Sequence, residues 1–164
     1  MATPTFTALA EVELTASDSS ITFSSIPNTF KDIVISMSIK ATGACGPYIR
    51  FNNDASNLYF MAQLAADGGA TLGNTGQTSY GWIQPNSNLS LVNFDCVEIN
   101  IQDYSTTGKT RTYLSRIDNT EANHYHNALA GRWASTAVIN TITVGTTANA
   151  FAAGSTIGLF GIEA

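Results

Sequence analysis

The sequence predicts an all-β protein, an antiparallel β-sandwich of the jelly-roll kind built from about ten short strands. Three observations lead there. Apolar and polar residues alternate with a period of two along nearly the whole chain. Clusters of Ser, Asp, Asn and Gly separate the alternating runs. Only 12% of the 164 residues are charged, so the strong helix formers Lys, Glu and Arg are scarce, and Thr, Ser, Asn, Ala and Gly fill the polar positions.

Met1 to Thr5 reads as a loose N-terminal arm, and residues 6–164 as one sandwich domain. The first run is Phe6 to Leu14, closed by the turn cluster Ala16-Ser-Asp-Ser-Ser. Ile21 to Phe23 follows, and then the cleanest alternation in the chain. There Ile33, Ile35, Met37 and Ile39 form one face, with Val34, Ser36, Ser38 and Lys40 on the other. Tyr48 to Phe51 ends at Asn52-Asn-Asp. Leu58 to Leu64 comes next, where a strand is preferred over a short helix at Tyr59 to Ala66 because it lies beside Phe51 and its Asn turn. Ala65 to Thr78, rich in Gly, Ala, Thr and Asn, is expected to be the longest loop. Strands are then expected at Tyr80 to Ile83, Phe94 to Ile101, Thr110 to Ile117, Ala128 to Trp133, Ile139 to Val144 and Thr156 to Ile162, with a second long loop from Asp118 to Asn127. The C-terminus, ending in or beside a strand at Phe160-Gly-Ile162, is expected to be tied down.

Composition narrows the classes of function. The net charge is −5 and the seven basic residues are scattered, so the basic stripe that a phosphate backbone demands is missing and nucleic acid is not an expected partner. No apolar run reaches the roughly 18 residues needed to cross a bilayer, and the start lacks a charged and then apolar leader pattern, which predicts a soluble chain without a membrane partner. Cys45 and Cys96 are expected to be reduced thiols, and Asn88-Leu-Ser a surface turn rather than a glycosylated site.

Candidate chemistry is thin. His124 and His126 would share one side if their segment were extended, with Asp118 and Glu121 near in sequence as candidate carboxylate ligands. Closing a metal site takes more ligands than this, and a solvated loop is the preferred reading, with no metal or cofactor expected. Glycoside hydrolysis needs two opposed carboxylates; Glu11, Glu13, Asp95, Glu98 and Asp103 are the acids strands would present, most of them on a polar outer face. No nucleophile elbow, phosphate-cradling glycine loop or calcium loop is present, so no catalytic residue is assigned and no enzyme activity is expected. Tyr80, Trp82, Tyr125 and Trp133 are the aromatics suited to stack on a sugar. Trp133 is assigned to the core, whereas Trp82 stands open to either role.

Five stretches together resemble a class of small β-rich domains of tailed-bacteriophage virion proteins. They are Ile21 to Ile35 with its Ile-Pro turn, Ile49 to Tyr59 with Phe-Asn-Asn-Asp, Val97 to Tyr104, Gly131 to Val144, and Gly154-Ser-Thr-Ile-Gly-Leu-Phe-Gly-Ile162. The resemblance implies a jelly-roll-like virion component without catalytic residues, found on capsid exteriors and at tail-fibre tips and usually trimeric. The chain begins about twenty residues before the first matching stretch, without a fibre shaft. The expectation is therefore a capsid decoration, or cement, protein on the outer surface of the virion, with the major capsid protein and its own copies as partners. The alternative is a receptor-binding tail-fibre tip that recognises a host-surface glycan through Tyr80, Trp82 and Tyr125.

Overall fold

A computed structural model describes residues 5–66, 70–85, 89–118 and 126–163. Twelve strands lie within them, in two antiparallel sheets packed face to face, without a helix among the described residues. They are β1 (Phe6–Glu13), β2 (Ser20–Phe23), β3 (Asp32–Ile39), β4 (Pro47–Phe51), β5 (Tyr59–Ala66) and β6 (Ala70–Thr78). The rest are β7 (Gly81–Trp82), β8 (Asp95–Gln102), β9 (Arg111–Asp118), β10 (His126–Trp133), β11 (Ile142–Thr146) and β12 (Thr156–Ile162). The exposed area of 7881 Å² matches the roughly 7,900 Å² that area scaling gives a compact chain of this mass.

The large sheet runs β1-β12-β3-β8-β9-β10-β5-β6 and the small one β2-β11-β4-β7. Setting aside the hairpins β5–β6 and β9–β10 leaves β1-β12-β3-β8 over β2-β11-β4-β7, the interlocked order of a jelly roll. The chain is therefore a jelly-roll β-sandwich whose two inserted hairpins extend one sheet to eight strands.

The core follows from the alternation. Ile33, Ile35, Met37 and Ile39 of β3 and Val97, Ile99 and Ile101 of β8 are all at most 3% exposed and face Ile49, Phe51, Ile142 and Val144 of the small sheet. Where the inserted strands cross β4, the filling turns aromatic. Phe51 lies 5.6 Å from Trp133, 6.0 Å from Tyr113 and 6.1 Å from Tyr59, between ring centroids. Trp133, 2% exposed, is a core residue as expected, and its indole donates to Asp54 Oδ2 at 2.7 Å.

Several expectations need correction. The described residues of the predicted loop Ala65 to Thr78 are instead the end of β5 and the edge strand β6, paired in the register Ala62 to Asn74 and Leu64 to Leu72. Its Gly, Thr and Asn composition reads as loop because an edge strand is held by one neighbour only and needs few apolar residues. Asp95, weighed among the acids that strands would present, is fully buried and accepts the Ser90 amide at 2.7 Å. Val34 is likewise buried, although it shares the outer face of β3 with Ser36 and Ser38. The last predicted small-sheet strand starts at Ile142 rather than Ile139, whose amide bonds to Tyr104 O. Cys45 is buried and Cys96 exposed, and neither is in a disulfide. Residues 1–4 of the arm, Asn88, Glu121, His124 and Tyr125 lie outside the described residues.

Candidate binding surfaces

The two outer faces of the sandwich carry the features with functional content. On the large sheet the antiparallel registers align outward side chains in rows that run across the strands. One row reads Glu11, Gly158, Ser36, Glu98, Arg116, Ala128 and Leu64 along β1, β12, β3, β8, β9, β10 and β5. The next reads Ala8, Phe160, Val34, Asn100, Leu114, Ala130 and Ala62, in which Asn100 is the one polar member. Leu64 is 53% and Leu114 48% exposed, with Ala62, Ala128 and Ala130 exposed between them.

This face is concave. A trough of about 780 Å³ crosses seven strands from Glu11 to Leu64, and further hollows of about 490 Å³ and 410 Å³ continue it over Ala62, Leu114 and Phe60. Its charges are few, and several are engaged by neighbouring side chains. His126 Nδ1 lies 3.0 Å from Asp118 Oδ1, and Asn100 donates to Glu98 Oε1 at 2.7 Å. The Arg132 guanidinium sits 4.6 Å over the Phe60 ring. Of the acids weighed as hydrolytic, Glu11 and Glu98 line this trough, while Asp95 is in the core and Asp103 pairs with Lys109 at 3.5 Å. No group of three or more metal-ligating side chains occurs among the described residues.

The small sheet brings two of the three predicted ligand-binding aromatics together. Trp82 of β7 pairs with Tyr48 of β4, across the sheet from the core side taken by Gly81 and Ile49, with Trp82 also packed against the margin of the core. Tyr80 sits between them, its ring centroid 5.0 Å from each, tilted against Tyr48 and edge-on to Trp82. Two glycines make room for this arrangement. A Cβ on Gly145 would fall 2.6 Å from the Tyr48 ring, and one on Gly46 2.6 Å from the Trp82 ring, so each ring lies against bare backbone. Arg50, two residues along the same face, places its guanidinium 5.3 Å from the Tyr48 centroid and donates from Nε to Ser79 O at 3.4 Å.

Burial raises the Tyr80 hydroxyl above its ordinary pKa, with the Arg50 charge opposing and Tyr48 adding to the rise. Tyr80 therefore stays a neutral donor at physiological pH. All three rings and Arg50 are part-exposed. Sequence reasoning missed Tyr48 and Arg50. Their outward positions were readable from alternation with Ile49 and Phe51, but their meeting with Tyr80 and Trp82 depends on the β4–β7 pairing.

No family model and no curated protein matches the chain. Among solved structures it is similar to a galectin of Caenorhabditis elegans, with 8% identity, 94% of this chain and 96% of that one covered, and a TM-score of 0.40. It is also similar to an alginate lyase from a Chlorella virus, at 8% identity, 95% and 83% coverage and a TM-score of 0.36. A toad ovary galectin solved with thio-digalactose gives 11% identity, 87% and 98% coverage and a TM-score of 0.35.

Proposed function

We propose that this chain is a non-enzymatic structural component of a tailed-phage virion, a decoration protein that docks as an oligomer on the outer surface of the capsid through the trough of its large sheet. The observation that carries the docking face is the exposed apolar stretch of Leu114, Ala130 and Ala62, flanked by the half-exposed Leu64. Contiguous exposed apolar surface on a soluble domain marks a place where another macromolecule sits. Short Ala, Ser and Asn side chains around it lose little conformational entropy when covered, and the sparse charge limits desolvation. The sequence resemblance supplies the virion setting.

The test is co-sedimentation of the purified protein with emptied capsids, after its mass has been measured by light scattering. A trimer that binds capsids is the expected result. Leu64→Asp combined with Leu114→Asp puts one carboxylate into the apolar stretch and one beside it without touching the core. It should weaken capsid binding by at least about tenfold, or roughly 1.4 kcal/mol, with an unchanged circular dichroism spectrum. Full-strength binding by that variant would remove the trough from the docking surface.

A further inference from the structure

We propose that the outer face of the small sheet carries a second binding site, for a pyranose bearing a carboxylate, in which Tyr48, Tyr80 and Trp82 provide the stacking surface and Arg50 the partner of the carboxylate. The site lies on the opposite side of the sandwich from the trough and does not depend on the docking reading. A subunit seated through its large sheet turns this face outward.

Three features of the patch converge on that ligand. A pyranose offers an apolar face of C–H groups and a rim of hydroxyls, so it needs aromatic faces with polar groups at their edges. Here two phenol rings and one indole are joined through the central Tyr80, each part-exposed, with the hydroxyls of Tyr48 and Tyr80 among them. The rings are held before any ligand arrives, because Tyr48 lies on Gly145 and Trp82 on Gly46. Little rotamer entropy is then left to lose on binding.

The third feature is charge. Among the described residues Arg50 has no carboxylate within 4 Å, and Asp54 feels it only at longer range. A planar guanidinium beside an aromatic surface is suited to a bidentate pair with a sugar carboxylate. The neighbouring row adds hydroxyls rather than competing charge, with Thr22 and Thr143 bonded to each other at 2.8 Å.

Tryptophan emission provides the readout. The chain has two tryptophans. Trp133 is 2% exposed, with its indole N–H bonded to Asp54, so a ligand-induced change reports Trp82. Digalacturonate and galactobiose differ in the oxidation state of C6 and form the test pair. The expected result is a saturable emission change with digalacturonate and affinity for galactobiose weaker by about tenfold. Arg50→Gln should remove that preference by weakening digalacturonate more than galactobiose, to within about twofold of each other. Tyr80→Ala should weaken both ligands with thermal stability maintained, since Tyr80 lies outside the aromatic core around Phe51. No saturable change with digalacturonate, equal affinity for the two sugars, or an unchanged preference in Arg50→Gln would each overturn the proposal.

Discussion

Asn52 stands in the left-handed region at φ 51° and closes β4 with a single side chain bonded in three directions. Its Nδ2 donates to Val138 O at 2.7 Å, while its Oδ1 accepts from the amides of Asn140 at 2.9 Å and Thr141 at 3.2 Å. It thereby fastens the approach to β11 onto the end of β4. Asn52→Ala loses those bonds and leaves a residue poorly suited to this backbone. A loss of about 2–3 kcal/mol is expected in urea unfolding, and a cost below about 0.5 kcal/mol, the ordinary scatter of a surface change, would contradict this role.

Asp54, two residues on, governs a pH effect. Partial burial pushes its carboxyl up, but hydrogen bonds from the Ser56 hydroxyl and amide and from the Trp133 indole, together with the Arg50 charge, outweigh it and hold the pKa below the ordinary carboxylate value. A folded-state pKa that is depressed means stability present in full above about pH 4 and lost as pH falls through the lower folded-state value. The urea midpoint of the wild type should therefore drop more steeply than that of Asp54→Asn between about pH 5 and pH 2. Parallel acid limbs would show that Asp54 contributes nothing there.

At the scale of elements, the two inserted hairpins are joined to the jelly roll through β9 and its inward residues. Tyr113 donates from its hydroxyl to Trp82 O at 2.9 Å, and Ser115 from its hydroxyl to Ile83 O at 2.9 Å, so β9 is stitched to β7 of the opposite sheet. The Tyr113 ring can lie there because its neighbour in β10 is Gly131, where a Cβ would fall 2.0 Å from a ring carbon. Gly131→Ala is an overpacking change at the junction of the hairpins with the core, expected to cost about 2–3 kcal/mol and to lower the melting temperature by roughly 4–12 °C for a domain of this size. A melting temperature within a degree of wild type would mean that the ring moves aside without cost.

For the whole molecule, the extension of one sheet to eight strands is what makes a broad concave face, and the low charge density is what leaves that face apolar along its middle row. Docking driven by such a row should respond weakly to salt, since screening acts on charges and not on buried apolar area. Capsid affinity is expected to change by less than about threefold between 0.05 and 0.5 M salt. A fall of about a hundredfold would assign docking to the charged row beside it, Glu11, Glu98 and Arg116.

Fold class and the positions of most strands were determined by the sequence alone, because a period-two alternation such as Ile33 to Ile39 and a turn such as Asn52-Asn-Asp are local properties of the chain. The core role of Trp133 was legible for the same reason, and Tyr80 and Trp82 could be singled out by residue type. Which sheet each strand joins was decided only by the tertiary structure. So were the apolar stretch of Leu114, Ala130 and Ala62 and the union of Tyr48 and Arg50 with Tyr80 and Trp82. Each of these rests on a register between strands far apart in sequence, and a cross-strand row leaves no periodic trace in the segments that form it.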